Sequence, residues 1–277
     1  MASEGPTVAR AMRSGPAVPG RGDVPVRRMR MGMGTWVVIE ASARSAAGAL
    51  AGLEAAFAQI RHIEQCMHPE REGSDLVRLR RAPLGSAVAI DPATWAVLKF
   101  AQQVFRLSAG VFDPCLPHSA GRLCELELSA DARHPWACAH APLEIDCGGI
   151  AKGYAVDCAL QALLAAGCSA GLVNAGGDLR VHGPQPQTLL LRCADGSYLP
   201  CELREAALAV SDLDAAHRPA GHRGYYVRET GAAATRRYAA VRAREAMVAD
   251  ALTKCVMLCA QPLAHALVQT LSAEVLA

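Results

Sequence analysis

Between Glu144 and Asp157 the chain reads E-I-D-C-G-G-I-A-K-G-Y-A-V-D, an apolar strand-like lead-in that runs into glycines and then into a helix. A glycine-rich turn of this kind presents backbone N–H groups to an anion. Gly148, Gly149 and Gly153 let the main chain approach a ligand closely, Lys152 adds a compact positive charge, and Asp146 and Asp157 flank the loop. Phosphate is the natural ligand. The same pattern also serves as plain connection, and these residues alone leave both readings open.

The helix after the loop is expected over about Lys152 to Ala166, with Val156, Leu160, Leu163 and Leu164 as its core stripe and Gly167 as its stop. Next, A-G-L-V-N-A-G-G-D-L-R-V-H-G reads as a strand, a double-glycine break carrying Asp178, and a second strand. Gly176-Gly177 is a second place where backbone can lie against a ligand.

Upstream, Thr35–Glu40 has the β-branched density of a strand, and the preceding M-G-M-G places Met33 against a ligand or in the core. From Ser45 to Met67 the spacing of Leu50, Leu53, Phe57, Ile60 and Ile63 predicts an amphipathic helix that covers a sheet. A polar stretch broken by Pro69 and Gly73 then reads as a surface loop, in which His68 alone has obvious ligand chemistry. Asp91-Pro92 is an N-cap and first-turn pair for a second helix, ended by Gly110. In V-F-D-P-C-L-P, Asp113 either orients a ligand or caps its own turn. Residues 121–142 carry no sharp signal.

Downstream, 187–193 and 199–203 form a hairpin around Asp195-Gly196, Ala206–Ser211 is a strand ending in V-S-D, and Arg236–Arg242 is another. In A-D-A-L-T-K-C-V-M-L-C-A, Asp250 is expected to begin an apolar helix, with Asp250, Thr253 and Lys254 on one face at i, i+3 and i+4. Asp250 then serves as helix-start electrostatics or as a hard-cation ligand with Thr253 beside it. Long helices among many short, hairpin-like strands favour an α+β fold with mixed or antiparallel sheets over a doubly wound parallel one.

A formal net charge of +2 gives no field for nucleic acid or an anionic membrane, and 4% aromatic residues give no stacking surface for single strands. Eleven cysteines without a C-x-x-C pair argue against a disulfide scaffold and for small buried residues of a reduced, cytoplasmic protein, with a few disulfides in an exported protein as the alternative. No stretch reaches the roughly 20 apolar residues of a membrane span. The first 30 residues, with six arginines and several glycines and prolines, read as a disordered arm ahead of a domain over 31–277. A start at Met29, Met31 or Met33 is the alternative, and a mis-assigned start would also admit a periplasmic location.

Four stretches, in this order, resemble the FAD:protein FMN transferases, the ApbE-like flavin transferase family once labelled thiamine-biosynthesis lipoproteins. They are M-G-T at 33–35, G-V-F-D-P at 110–114, D-C-G-G-I-A-K-G-Y-A-V-D at 146–157 with N-A-G-G-D at 174–178, and A-D-A-L-T at 249–253. The resemblance implies a T-fold-like α+β protein that binds FAD, cuts its pyrophosphate with Mg²⁺, moves FMN onto a Ser or Thr hydroxyl of an acceptor flavoprotein and releases AMP. Carried over, it gives the metal to the Ala151 carbonyl, Asp250 and Thr253. It places Met33 against the flavin, and Val111, Phe112, Asp113, Gly148, Lys152, Gly176, Gly177, Asp178 and Ser211 around FAD, with Tyr154 and His68 at further lining positions. Three departures stand out. The family's H-I-I-D-P-x-T-G survives only as Thr230-Gly231, leaving His222 as a substitute base or a solvated loop residue. The family's T-S-G becomes Val210-Ser211-Asp212, which sets a carboxylate beside the expected diphosphate. Lys254 stands where the family often has Thr, and there it either pairs with Asp250 in place of Mg²⁺ or points away. A flavin carrier without transfer activity and an FAD pyrophosphatase are the alternative functions.

Overall fold

The computed structural model describes residues 12–13, 22–213 and 236–277. In chain order the elements are β1 (Met12–Arg13), β2 (Val24–Gly32), β3 (Thr35–Ala43), α1 (Ala46–Met67), α2 (Asp75–Arg81), β4 (Ala87–Ala89), α3 (Pro92–Leu107), a 3-10 turn (Leu123–Glu125), β5 (Leu126–Leu128), β6 (Trp136–Ala139), α4 (Ala151–Ala165), β7 (Ala170–Ala175), β8 (Asp178–His182), β9 (Gln187–Arg192), β10 (Tyr198–Leu203), β11 (Ala207–Asp212), β12 (Tyr238–Ala243), α5 (Ala246–Leu258), α6 (Gln261–Thr270) and β13 (Glu274–Val275). The α+β expectation holds. A seven-stranded sheet in the order β13-β12-β11-β8-β7-β3-β2 is antiparallel at every pairing.

Period-two alternation buries both faces of this sheet. Val37 and Ile39 of β3, Val173 of β7 and Ala207 and Ala209 of β11 point to α1, α4 and α5, where they meet Leu53, Phe57, Ile60 and Leu163 in the main core. The alternate residues Leu172, Leu179, Val181 and Leu208 point the other way and pack with Leu189, Leu191 and Leu203 of the β9–β10 hairpin. That hairpin, with β1 at its edge, is a separate three-stranded sheet. A third small sheet, β4-β6-β5, packs with α2, while α3 lies against α1 and the 3-10 turn.

Several local signals act as read. Ser45 caps α1 through its side chain, Asp91 caps α3 ahead of Pro92, and the hairpin 187–203 forms around Asp195-Gly196. Other expectations are corrected. The sheet begins at Val24, inside the arm expected to be disordered, because V-P-V-R-R-M-R-M makes an edge strand whose arginines and Pro25 are tolerated where, among the described residues, one side has no neighbouring strand. The polar stretch after α1 contains α2, capped by Ser74, and its Asp75 is buried and accepts from the Asp91 N–H at 2.8 Å and Thr94 Oγ1 at 2.5 Å. Leu50, counted in the α1 stripe, is 37% exposed. Residues 121–142 hold the short strands β5 and β6. Among the described residues no helix is long and apolar enough to cross a membrane.

α5 starts at Ala246, not at Asp250, so Asp250 lies in the helix interior and the helix-start reading of its charge falls away. The reason is tertiary. Glu245 makes no side-chain cap, and the free N–H groups of Ala246 and Met247 go instead to the two carboxylate oxygens of Asp157 on α4, each at 2.9 Å.

Candidate active site

Three elements bring charged side chains together: α4, the β7–β8 hairpin and α5. The hairpin closes through a two-residue turn, Gly176-Gly177, with φ of 65° and 106°, since Ala175 and Asp178 pair across it. The left-handed region suits glycine, and at Gly176 a Cβ would also stand 2.7 Å from Thr35 Oγ1. Alternation then turns Asp178 and Arg180 toward the helices, while Leu179 and Val181 face the second core. Asp178 pairs with Lys152 in the first turn of α4, and Arg180 pairs with Asp157 at 2.7 Å. Asp178 is buried, and its Oδ1 has no hydrogen-bond partner among the described residues.

From the other side α5 contributes Asp250, which is fully buried and ion-paired to Lys254 one turn on. The second carboxylate oxygen of Asp250 accepts the Gly153 N–H at 3.1 Å, one of the amides that a helix start leaves without an intrahelical partner. This approach is close. A Cβ on Gly153 would lie 2.3 Å from the Ala246 carbonyl oxygen, so only glycine lets α4 and α5 meet here. Gly149 of the loop lies over the Lys254 stem, where a Cβ would be 3.4 Å from Cε.

Two aspartates and two lysines make the cluster formally neutral. Burial raises both carboxyl groups toward the neutral form, but the two are driven apart. At Asp250 the ammoniums of Lys254 and Lys152, with the hydrogen bonds, outweigh burial and hold the carboxyl below its ordinary value. At Asp178 burial, reinforced by the neighbouring Asp250 charge, wins over the same lysines, and the carboxyl lies above its ordinary value. Removing one partner of a buried pair such as Lys254–Asp250 costs about 3–5 kcal/mol, because the other charge is stranded.

The donor set that the resemblance assigns to Mg²⁺ is Ala151, Asp250 and Thr253. Ala151 is the buried first residue of α4. Both oxygens of Asp250 are engaged, one by Gly153 and one by Lys254. The Thr253 hydroxyl donates to the Asp250 carbonyl at 2.7 Å and lies 2.8 Å from Ser211 Oγ, so it faces β11 and not the carboxylate. A divalent metal does not fit this arrangement, since it would have to displace an ammonium from a buried carboxylate. Among the described residues the groups of three or more His, Cys, Asp or Glu close enough to share an ion lie elsewhere, at His62-Cys66-Asp91 and Glu127-Cys138-His140.

The remaining candidates are more dispersed. Met33 occupies the β2–β3 turn at φ 53°, a strained conformation for a side chain of its size, and its N–H donates to Glu64 Oε1 at 2.9 Å. Phe112 is in the main core, Val111 is 39% exposed, and Asp113 is held by Arg122 Nε at 3.1 Å and by the Cys115 N–H at 3.0 Å. The Gly148 N–H donates to Asp146 Oδ1 at 2.6 Å. Tyr154 lines a cleft with Asp157, Cys158 and Arg180, and burial raises its phenol well above the usual value. His68 accepts the Glu70 and Arg71 N–H groups through Nδ1, each at 3.1 Å, which makes it a cap for its loop. Ser211 is tied to Thr253, and strand alternation turns Asp212 to the opposite face, 4.0 Å from Arg192. His222 and Thr230-Gly231 lie outside the described residues. Sequence reasoning missed Arg180 and Arg122. Arg180 was accessible, two residues beyond Asp178 on the same strand face, whereas Arg122 stands in the stretch without signal.

Comparison with known proteins identifies the family and the fold. The chain matches the model of the ApbE family over residues 33–126 and 118–277. A protein of Treponema pallidum named FAD:protein FMN transferase is 26% identical over 170 residues, which is 51% of this chain and 47% of that protein, so the match spans about half the relative's length. The crystal structure of the Pseudomonas stutzeri flavinyl transferase ApbE in its apo form superposes with a TM-score of 0.76 at 19% identity, covering 91% of this chain and 90% of that one. The Vibrio cholerae flavin transferase ApbE gives 0.74 at 18% identity, covering 91% and 93%, and the Thermotoga maritima ApbE protein gives 0.76 at 20%, covering 91% and 93%. With the fold shared at that level and the family model matched over most of its length, the chain belongs to the ApbE family.

Proposed function

We propose that the protein is an FAD:protein FMN transferase, active in the unit that runs from β2 to the C-terminus. The observation that carries the reading is the Lys152–Asp178 and Lys254–Asp250 cluster, its two aspartates buried, at the glycine loop that starts α4, in a chain of this family. The Lys152 ammonium at this helix start suits a dinucleotide diphosphate, whose transfer chemistry depends on positioning and charge neutralisation more than on a covalent enzyme group. The acceptor's Ser or Thr oxygen forms a bond to the FMN-side phosphorus, the bridging P–O bond breaks, and AMP leaves with the electron pair. The hydroxyl proton goes to a base or to water, and His222 is the proposed base. Lys152, less buried than Lys254 and held by Asp178, faces the diphosphate, and Met33 faces the flavin. Mg²⁺ has no step in this reading because the donor set does not fit it. A reducing, cytoplasmic setting belongs to the same reading, with eleven free thiols, most of them in core positions.

A flavin carrier without transfer activity is the second reading, favoured by the Ser211 hydroxyl being tied to Thr253. Incubating the protein with FAD and a flavoprotein acceptor domain, followed by intact mass and nucleotide analysis, separates the readings. An FMN-sized mass gain with AMP release is expected. AMP and free FMN without the adduct would identify a pyrophosphatase, and bound, uncleaved FAD would identify the carrier.

A further inference from the structure

We propose that Lys254 is the resident cation of this site, so that the protein binds the diphosphate of a flavin dinucleotide without a divalent metal. The inference rests on the FAD reading above and concerns what neutralises the site.

Four observations converge on it. The Lys254 side chain is 5% exposed and its Nζ bonds an Asp250 carboxylate that is 0% exposed, so this is an interior pair and not a solvated surface contact. The other Asp250 oxygen is taken by the Gly153 N–H at 3.1 Å, which leaves neither oxygen without a donor. Thr253, the neighbouring oxygen ligand on α5, has its hydroxyl 2.7 Å from the Asp250 carbonyl and 2.8 Å from Ser211 Oγ. The loop packs on the lysine: Gly149 lies over its stem, where a Cβ would be in van der Waals contact with Cε at 3.4 Å.

Charge counting points the same way. Asp178 and Asp250 are matched by Lys152 and Lys254, and the cluster is neutral as it stands. A divalent ion bound at Asp250 would add two positive charges next to a buried ammonium and strip that ammonium of its partner. A lysine in this place balances the buried Asp250 carboxylate without a metal, which leaves the more accessible Lys152 ammonium to meet the diphosphate.

The test compares FAD binding, followed by flavin fluorescence quenching, in EDTA and in millimolar Mg²⁺, alongside Mn²⁺ binding to the FAD-free protein by electron paramagnetic resonance. Wild-type protein should bind FAD equally in the two buffers, within about twofold, and should show no stoichiometric Mn²⁺ site. The Lys254→Thr variant should lose at least about tenfold in FAD affinity in EDTA, recover it with Mg²⁺, and acquire one Mn²⁺ site, while Lys254→Arg should retain metal-free binding. A tenfold loss of wild-type FAD affinity on chelation, or one-to-one Mn²⁺ binding by the wild type, would overturn the proposal. The wild-type arms decide it even where Lys254→Thr does not fold. Absence of FAD binding in both buffers would instead sink the FAD reading and the diphosphate half of the proposal, and the Mn²⁺ arm would still decide whether Lys254 holds the cation's place.

Discussion

At Gly153 a missing side chain sets the distance between two helices. Because a Cβ there would meet backbone, Ala246 O at 2.3 Å, the Gly153→Ala variant must push α4 from α5 and lengthen the bond from its N–H to Asp250. Overpacking of this kind costs about 1–3 kcal/mol, which urea unfolding should register as a lower midpoint with little change in slope. Asp178 offers a pH signature. Its carboxyl lies above the ordinary value in the fold, so protons bind the folded form more tightly than the unfolded one. Its contribution to stability is therefore greatest below the unfolded value of about 3.9 and declines as pH rises through the window up to the folded value. Asp178→Asn should remove that decline, and melting temperatures of wild type and variant from about pH 4 to pH 7 would check it. A variant whose profile stays parallel to the wild type would contradict the assignment.

The element on which the site depends most is α5, and it is held from outside itself. Asp157 accepts from both Ala246 and Met247 and pairs with Arg180, so one side chain on α4 caps α5 and neutralises a mostly buried guanidinium on β8. Loss of a cap costs about 1 kcal/mol, and a stranded buried charge adds several more. Asp157→Ala should accordingly lower stability by about 3–5 kcal/mol. It should also speed amide hydrogen exchange across the first two turns of α5, where Asp250 sits. Exchange that quickens only as much as global stability falls would argue against a local capping role.

At the scale of the whole molecule, one sheet is buried on both faces, by helices on one side and by the β9–β10 hairpin on the other. Cysteines fill small places in this packing: Cys115, Cys147, Cys168 and Cys255 join the main core, and Cys201 the second. All eleven are free thiols. Alkylation under denaturing, non-reducing conditions should therefore add eleven labels by intact mass, with the exposed Cys124 reacting first in the native protein. A pair of missing labels would reveal a disulfide and count against the reducing setting proposed above.

What the sequence determined by itself was largely local. Ser45 and Asp91-Pro92 placed helix starts, Asp195-Gly196 a hairpin and Gly176-Gly177 a tight turn, because capping and left-handed backbone depend on residues a few positions apart. The family pattern likewise marked Lys152, Asp178 and Asp250 as one site. Only the tertiary structure decided how those charges are matched. The sequence pattern puts Asp250 at a helix start, yet it lies in the interior because Asp157, 89 residues before Ala246, caps the helix there. Whether Lys254 points away or pairs with Asp250 was open in one dimension. It is settled by the close approach of α4 at Gly153 and the cover of Gly149, which leave the ammonium a buried carboxylate as its partner. Burial makes that choice: in water either orientation is cheap, whereas in the interior a charge must lie against its opposite.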